Sequence, residues 1–311
     1  MTEKKWITKT WAVVLLALIC CLLWGSAFSG VKVGYEKFKI ASSDWPSQMV
    51  FAGVRFSIAG IMALMIGSVL EKKILLPKKS SIHKIVVISF FQTIAQYFFY
   101  YIGLAHTTGV KAAIIVSANV FTAILISALL FKMEKLTALK IVGSIIGFAG
   151  IIVINLGGFS GGLQLNFLGD GFIFLCTVAS GFSSVFMKKY SVGENPVMLS
   201  GWQFFFGGVV MLVFGLAFGG KMIGFTFSST AILLYLSFVS AAAYSLWATL
   251  LKYNPVSKVA VFGFMNPVCG VIISSVVLGE KGAFSLQGLL ALVLVCLGIW
   301  IVNSEKEKQK N

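Results

Sequence analysis

The chain has 311 residues, of which 58 % are hydrophobic and 11 % are charged. Soluble domains carry about 25 % charged residues, so this composition excludes an ordinary soluble domain and indicates an integral membrane protein. The formal net charge of +15 does not indicate nucleic-acid binding, because most lysines lie in short clusters between apolar runs.

Apolar runs of about twenty residues, enough to cross the hydrocarbon core as a helix, follow one another along the whole chain. They are nearly continuous, whereas the strands of a membrane barrel show short stretches of alternating polarity. We therefore predict an all-α integral membrane protein with ten transmembrane helices and short connections. The predicted helices cover 11–31, 46–70, 82–104, 110–132, 137–155, 168–190, 196–218, 229–251, 257–279 and 284–303.

The first predicted helix follows Lys4, Lys5 and Lys9, and residues 1–24 resemble a secretory signal peptide. They contain no Ala-x-Ala-like cleavage site, so we expect an uncleaved helix. The five cysteines all lie in apolar runs, and their odd number and spacing predict neither a disulfide framework nor a metal site. We expect no metal and no cofactor.

Lysine placement predicts the orientation of the helices, since cytoplasmic connections of membrane proteins carry an excess of Lys and Arg. With both termini in the cytoplasm, eighteen lysines lie in cytoplasmic segments and six lie in external ones. We therefore predict a multi-pass protein of the cytoplasmic membrane with both termini cytoplasmic.

The two halves of the chain resemble each other. The segment 117–135 aligns with 263–281, and GIIVIN at 150–155 aligns with GIWIVN at 298–303. One repeat spans five helices, an odd number, so the second copy enters the membrane from the opposite side and the repeats are inverted. The predicted organisation is a first five-helix repeat, an extracytoplasmic linker and a second five-helix repeat, at 1–155, 156–167 and 168–311.

A family resemblance rests on WGSAFSGVK at 24–32, VRFSIAG at 54–60, and a glutamate, Glu134 or Glu280, at the end of helices four and nine. With the five-plus-five arrangement, these features resemble the drug/metabolite transporter superfamily, and within it the EamA family. The resemblance implies a transporter with a central cavity between the two halves. Known relatives move amino acids, other metabolites or purines, often outward.

Polar residues within membrane-spanning helices are costly unless they are paired or face a cavity, so they are candidate site residues. Gln92, Gln96 and Tyr100 recur on one face of helix three, and Tyr244 and Trp247 recur on one face of helix eight. The two stripes either line a shared cavity or hold neighbouring helices together through hydrogen bonds.

Helix one carries Trp24 and the small polar residue Ser26, and helix six carries two further small polar residues, Ser180 and Ser184. Such small residues allow helices to approach closely, and the alternative is that these positions line the cavity.

Asn119 and Asn266 are paired by the alignment of the two halves, and Asn266 precedes Pro267. Proline cannot donate a backbone hydrogen bond and so frees a carbonyl one turn earlier. The asparagines mark either a broken polar point near the site or an interhelical hydrogen bond at a kink.

Arg55 is the only arginine in the chain, and it lies roughly 14 Å into its helix, near the middle of a core about 30 Å thick. It should therefore face protein or a water-filled cavity. The second half has the neutral Gln203 at the equivalent position. Arg55 either binds a substrate carboxylate through parallel hydrogen bonds or clamps backbone carbonyls in a structural or gating role.

No Asp or Glu falls in the middle of a predicted helix, which disfavours cation-for-proton exchange through a buried carboxylate. Phosphorylated substrates would need several deep basic groups, and only Arg55 is deep. We predict a secondary transporter that moves a small neutral or zwitterionic metabolite, such as an amino acid, by alternating access, with export as the expected direction. The expected partners are this small molecule and the lipid bilayer.

The first alternative function is efflux of cationic drugs. A channel and a membrane-embedded enzyme are alternatives from other classes, but an enzyme would need a cluster of His, Asp or Glu that the sequence does not indicate. The sequence leaves open whether the protein is a monomer or a homodimer.

Overall fold

The computed structural model describes residues 5–41, 43–107, 112, 115–155, 166–278 and 286–304. All regular structure in these residues is helical, and six of their helices are long and apolar enough to cross a membrane. Shorter apolar helices in the same ranges occupy the other four predicted runs. The prediction of an all-helical membrane protein is confirmed.

The helices are numbered in chain order. The six long helices are α1 (Thr10–Lys37), α2 (Trp45–Leu70), α3 (Lys79–Leu104), α6 (Phe167–Ser191), α7 (Pro196–Ala217) and α8 (Phe227–Tyr253). The shorter ones are α4 (Ile115–Leu130), α5 (Ala138–Asn155), α9 (Val256–Ala260, Val261–Phe264 and Met265–Leu278) and α10 (Leu286–Asn303).

Four helices depart from α geometry. π-Helical turns lie at Phe90–Ala95 in α3, Ile126–Leu130 in α4 and Phe167–Gly171 in α6, and a 3-10 turn lies at Val261–Phe264 in α9. A π turn is wider than an α turn, so the face that a helix presents to its neighbours rotates across it.

The break in α9 has a local cause in the sequence. Pro267 has no N–H to donate to the carbonyl of Gly263, one turn earlier. The N–H of Met265 instead reaches back to the Gly263 and Phe262 carbonyl oxygens, which tightens the chain into the 3-10 turn.

Helix α1 ends at Lys37, whereas the sequence predicted its end at 31, so the connection expected at 32–45 is shorter. Packing explains the extension, because Gly34 lies against the ring of Phe51 and Phe38 is buried against the same ring. An apolar contact at the helix end therefore outweighs the polar composition of the segment.

Polar residues fix where three of the long helices begin. The Asp44 carboxylate accepts a hydrogen bond from the N–H of Ser47 at the start of α2, and Asn195 accepts from the first turn of α7. Thr226 and Ser229 form a capping box at the start of α8. These side chains satisfy backbone donors that have no partner within the helix.

Helices α2 and α7 pack against each other through glycines. A Cβ at Gly60 would lie 2.5 Å from the backbone nitrogen of Phe205, and a Cβ at Gly208 would lie 2.5 Å from that of Ser57. Gly53 and Gly201 likewise face Leu212 and Leu64 of the opposite helix. Only glycine at these positions allows the two backbones to come this close.

Helices α5 and α10 form a second close pair. A Cβ at Gly150 would lie 2.8 Å from the carbonyl oxygen of Ala291, and a Cβ at Gly298 would lie 2.5 Å from that of Gly143. The first glycine of GIIVIN and the first glycine of GIWIVN therefore each allow the opposite helix of this pair to approach closely.

The remaining contacts between the halves also recur. Helix α1 packs on α8 and α9, and α6 packs on α3 and α4. Gly25 of α1 fits against Cys269 of α9, and Gly181 of α6 fits against Thr122 of α4. The two halves are therefore interleaved, and their contacts enclose the middle of the bundle.

One end of the bundle, called the lysine-rich end below, contains the connections α2–α3, α4–α5, α6–α7 and α8–α9. There the Glu134 carboxylate accepts hydrogen bonds from Lys140 Nζ and Ser127 Oγ, each at 2.8 Å. It also accepts from the backbone N–H of Ser257 at 3.0 Å and from the Ser257 hydroxyl. Glu134 therefore ties the end of α4 to the start of α9 and so joins the two halves.

A second link at the lysine-rich end centres on Glu194, between α6 and α7. Its carboxylate accepts from Lys84 Nζ and Ser81 Oγ of α3, each at 2.7 Å. Burial raises the pKa of this carboxyl, but the hydrogen bonds from Lys84 and Ser81 and the charges of Lys84 and Lys78 outweigh burial. The pKa of Glu194 is therefore lowered from its ordinary value.

We expect Glu194→Gln to lower the melting temperature at neutral pH, because charge-assisted hydrogen bonds worth about 1–2 kcal/mol are lost. A group whose pKa is lowered in the folded state stabilises the fold above its unfolded pKa, about 4.3 for Glu, and this stabilisation is lost as the pH falls through the folded pKa. The difference from wild type should therefore shrink in acid. Thermal unfolding of detergent-purified protein across pH measures it.

Glu36→Gln is the matched control, because Glu36 is an exposed carboxylate in the last turn of α1. It should melt like the wild type at every pH. Equal melting temperatures for Glu194→Gln and wild type at neutral pH would contradict the link.

Candidate functional site

Arg55 lies inside the bundle with 5 % of its surface exposed. It follows the start of α2 by ten residues, which places it about 15 Å into the helix. Its Nη2 donates to Ser240 Oγ of α8 at 2.9 Å, and its Nε is buried without a hydrogen-bond partner. Within the described ranges Arg55 forms no ion pair, so its charge is not neutralised by an acidic side chain there.

Tyrosines surround the guanidinium of Arg55. The hydroxyls of Tyr97 in α3 and Tyr244 in α8 are 3.3 Å apart and share a hydrogen bond. Arg55 is close enough to both of them, and to Tyr35 and Tyr101, to interact electrostatically with their hydroxyl groups.

Aromatic rings form a wall next to these tyrosines. The ring of Trp24 in α1 lies edge-on to Tyr244 and Trp247 of α8, with centroids 5.0 and 5.1 Å apart. Phe204 of α7 contacts Tyr244 at 4.8 Å and stacks on Phe56 at 5.2 Å. These five rings therefore connect α1, α2, α7 and α8 in the middle of the bundle.

Several of these rings remain partly accessible although protein surrounds them. Trp24, Tyr97, Tyr244 and Trp247 are each half-buried, and none of them lies in the first or last turn of its helix. Accessible surface at this depth indicates an opening between α1, α3 and α8. We call Arg55, Tyr97, Ser240 and Tyr244 the Arg55 cluster, and Trp24, Tyr244 and Trp247 the aromatic wall.

The position equivalent to Arg55 in the second half makes an equivalent contact. Gln203 of α7 is fully buried, and its Oε1 accepts a hydrogen bond from Thr93 Oγ1 of α3 at 2.7 Å. The direction is the reverse of the first contact, in which Arg55 donates to Ser240. The Gln203 Nε2 is buried without a partner. The two contacts also differ in charge, because Arg55 is positively charged and Gln203 is neutral.

Five of the twelve residues predicted for the site lie together in this region. They are Trp24, Arg55, Tyr100, Tyr244 and Trp247. Tyr100 lies at its edge, where its ring contacts Tyr101 at 5.7 Å. The sequence left open whether Arg55 clamps backbone carbonyls, and the structure gives it a serine hydroxyl as acceptor instead.

The small polar residues of α1 and α6 lie elsewhere. The Ser26 hydroxyl donates to the Leu23 carbonyl and bonds the hydroxyl of Tyr235, a residue that is 42 % exposed. Ser180 and Ser184 are half-buried in α6 and have no hydrogen bond to the Arg55 cluster within the described residues. Their assignment to the cavity stays a prediction.

The remaining predicted residues are also separate from the Arg55 cluster as far as the described hydrogen bonds go. Gln92 is buried and Gln96 is half-buried in α3. The Asn119 side chain lies near Gly263 of α9, and the Asn266 Oδ1 is buried without a partner. A cavity role for these four residues also stays a prediction.

The sequence analysis missed Thr93, Tyr97 and Tyr101. These residues follow Ser89 at intervals of four and form the face of α3 that meets α7 and α8, whereas the predicted stripe ran through Gln92 and its neighbours. The π turn at Phe90–Ala95 rotates the part of α3 that follows it. A prediction that assumes regular α-helical spacing therefore selected the face of Gln92, Gln96 and Tyr100, which lies next to the face that meets α7 and α8.

The chemistry of the region is that of hydrogen-bond donors, one positive charge and aromatic faces. In the part of the chain that the structure describes, no three His, Cys, Asp or Glu side chains come together as a metal site would need. The five cysteines are all free thiols.

The model of the EamA-like transporter family matches the chain twice, over residues 11–156 and 167–304. The chain belongs to the EamA-like transporter family. Family and fold together make it a multi-pass transporter protein of the cell membrane, in the drug/metabolite transporter superfamily, and the names of its relatives point to a transporter rather than an enzyme.

Relatives of this EamA-family chain cover nearly its whole length. The uncharacterized transporter YvbV of Bacillus subtilis (strain 168) is 28 % identical over 309 residues, with 98 % of this chain and 96 % of the relative covered. A probable amino-acid metabolite efflux pump of Escherichia coli (strain K12) is 26 % identical, with 92 % and 93 % covered. A solved crystal structure has a TM-score of 0.76 at 17 % identity, with 93 % of this chain and 96 % of that chain covered, which shows the fold.

Proposed function

We propose that this protein is a secondary transporter that moves a small neutral or zwitterionic metabolite, such as an amino acid, across the cell membrane by alternating access. Export is the proposed direction. The observation that carries the proposal is the position of the Arg55 cluster. It lies midway along the long helices, and each of its contacts joins a helix of the first half to one of the second.

The proposed architecture is two inverted five-helix repeats, 1–155 and 168–311, joined by the linker 156–167, of which 156–165 lie outside the described residues. The contacts between equivalent positions support it. The alignment that pairs Tyr100 with Trp247 also pairs Tyr97 with Tyr244, which bond each other. Two halves related in this way can exchange conformations and open one central site to each side in turn.

Side chains at equivalent positions extend the same pattern. Phe56 and Phe204 stack on each other with their planes 2° apart, and the alignment that pairs Arg55 with Gln203 pairs these two rings. With both termini cytoplasmic, as the lysines predict, the lysine-rich end faces the cytoplasm. Alternating access then requires the links of Glu134 and Glu194 to open at that end.

Two features favour an amino acid or related compound over a cationic drug. In the described residues no acidic side chain pairs with Arg55, so the cluster is positively charged and repels a cation. The Escherichia coli relative is named a probable amino-acid metabolite efflux pump. Efflux of lipophilic cations remains the alternative outcome of the test.

Counterflow in proteoliposomes tests the proposal. Vesicles containing the protein are loaded with an excess of one unlabelled amino acid, and entry of the same labelled amino acid is followed after dilution. A carrier should show transient accumulation of label above the external concentration, which saturates with substrate. Flux that rises linearly with concentration and never accumulates would indicate a channel, and accumulation of lipophilic cations alone would indicate drug efflux.

A further inference from the structure

Arg55 is a buried cation without a counter-ion in the described part of the chain. Its side-chain hydrogen bond goes to the neutral Ser240, and its Nε has no acceptor. An unpaired ion inside a protein costs several kcal/mol, so buried charges are normally paired. A purely structural clamp would use the remaining donors on protein oxygens. The arrangement instead leaves a guanidinium that no acidic side chain of the described residues neutralises.

Three buried nitrogen donors without hydrogen-bond acceptors also indicate a ligand that brings acceptors. Arg55 Nε, Gln203 Nε2 and Trp24 Nε1 are all buried N–H donors without acceptors. Gln203 already uses its own acceptor oxygen on Thr93. A ligand that suits the unpaired guanidinium of Arg55 brings oxygen acceptors and a negative charge, and a carboxylate supplies both with a matching shape.

The aromatic wall defines the rest of the ligand. Trp24, Tyr244 and Trp247 are half-buried and contact one another beside the cluster, so they offer an apolar surface next to the guanidinium. No carboxylate of the described chain contacts Arg55 or the wall, so the site has no charged partner for an ammonium group. The carboxylate and the apolar body of a ligand therefore have defined contacts, whereas its amino group finds no oppositely charged side chain among the described residues.

We infer that Arg55 binds the carboxylate of the transported molecule, and that the aromatic wall binds the apolar or ring-bearing body of the same molecule. This inference rests on the proposed function and specifies how its substrate is recognised, by a carboxylate and a bulky apolar group such as many amino acids carry. The ammonium group of an amino acid contributes little to binding. The Nε of Arg55 is buried in this conformation, so a ligand reaches it only when neighbouring side chains move.

Three matched compounds test the inference on the purified full-length protein. Phenylalanine carries both charged groups, phenylpropionate lacks the ammonium and phenethylamine lacks the carboxylate. We expect phenylalanine and phenylpropionate to bind with similar affinity and phenethylamine not to bind, as measured by isothermal titration and thermal shift. Leucine, its deaminated acid and its decarboxylated amine form a second set with an aliphatic body.

Arg55→Gln should weaken binding of both acids by about 10- to 100-fold, the loss of a charge-assisted hydrogen bond. Arg55→Lys keeps the charge but not the planar donor pair and should weaken binding less. Lys221→Gln is the matched control, because it removes one positive charge at an exposed position between α7 and α8. It should bind the acids like the wild type.

The wild-type protein offers a test that needs no variant. Because Arg55 is the only arginine, arginine-specific modification by phenylglyoxal reports on this one side chain. Phenylpropionate should slow its modification, as followed by mass spectrometry, and phenethylamine should not. This measurement keeps the inference testable if the Arg55 variants fail to fold.

Three results would overturn the inference: no binding of either acid set, equal binding by Arg55→Gln, or modification of Arg55 at the same rate with and without phenylpropionate. The outcomes separate it from the proposed function. Counterflow of another solute without carboxylate binding would support the proposed carrier and overturn the carboxylate site at Arg55. Arg55-dependent binding of a carboxylate without counterflow of any bound acid would support the binding site and contradict the proposed carrier function.

Discussion

Glu134→Gln is expected to destabilise the protein by about 3 kcal/mol, the cost of leaving a buried ion without its partner. The side chains of Glu134 and Lys140 are 6 % and 8 % exposed, and their ion pair is 2.8 Å long. The amide also loses one of the two oxygens that accept from Ser257. Thermal unfolding in detergent measures the loss as a lower melting temperature.

The double variant Glu134→Gln/Lys140→Met separates the two causes. It removes both charges, so it should recover much of the stability lost by Glu134→Gln alone. A single variant that melts like the wild type would contradict the burial of this pair. A double variant as unstable as the single one would place the loss in the contact with Ser257.

Gly60→Val should have the other large effect, because it forces α2 and α7 apart. The added Cβ would lie 2.5 Å from the nitrogen of Phe205 and 2.6 Å from the carbonyl oxygen of Gly201, and both are backbone atoms that cannot rotate away. We expect a loss of about 3 kcal/mol, measured as a lower melting temperature and a lower yield of folded protein. Gly193→Ala is the control, because a Cβ there meets nothing within 4 Å.

Gly208→Val extends this prediction to the second half. Its Cβ would lie 2.5 Å from the nitrogen of Ser57 and 2.9 Å from the carbonyl oxygen of Gly53, which is the environment of Gly60 with the two helices exchanged. The proposed inverted repeat therefore predicts a loss of similar size. A fully stable Gly208→Val beside an unstable Gly60→Val would contradict the equivalence of the halves.

The sequence predicted the helices well because each depends on a local property, an unbroken apolar run about twenty residues long. It also predicted that Arg55 would lie deep inside the bundle and pair by alignment with Gln203. Both follow from its distance from the helix start and from the spacing of the repeats. The structure adds Ser240 and Thr93 as their partners.

The face of α3 could not be predicted, because the π turn at Phe90–Ala95 rotates it. Polar spacing in an ideal helix selected Gln92 and Gln96, while Thr93 and Tyr97 make the contacts. A π turn depends on tertiary packing and carries no strong signal in the residues themselves.

The burial of Glu134 at the end of α4 could not be predicted from the sequence either. Glu134 is followed by a lysine at the end of an apolar run, a pattern that usually marks a solvated surface pair. The structure buries it because Lys140 and Ser257, six positions and more than a hundred positions away, converge on its two oxygens. Only the packing of α4 on α9 brings the distant serine there.

The most direct test of alternating access is a cross-link between Lys84→Cys and Glu194→Cys at the lysine-rich end. The two native side chains form an ion pair of 2.7 Å between α3 and the α6–α7 connection, so a short bis-methanethiosulfonate, which joins two thiols through reducible disulfides, can span the sites. Cys296→Ser removes the exposed native thiol. Cross-linking should abolish counterflow, and reduction should restore it, because the two halves must separate at this end. Counterflow at an unchanged rate in fully cross-linked protein would contradict alternating access through this end.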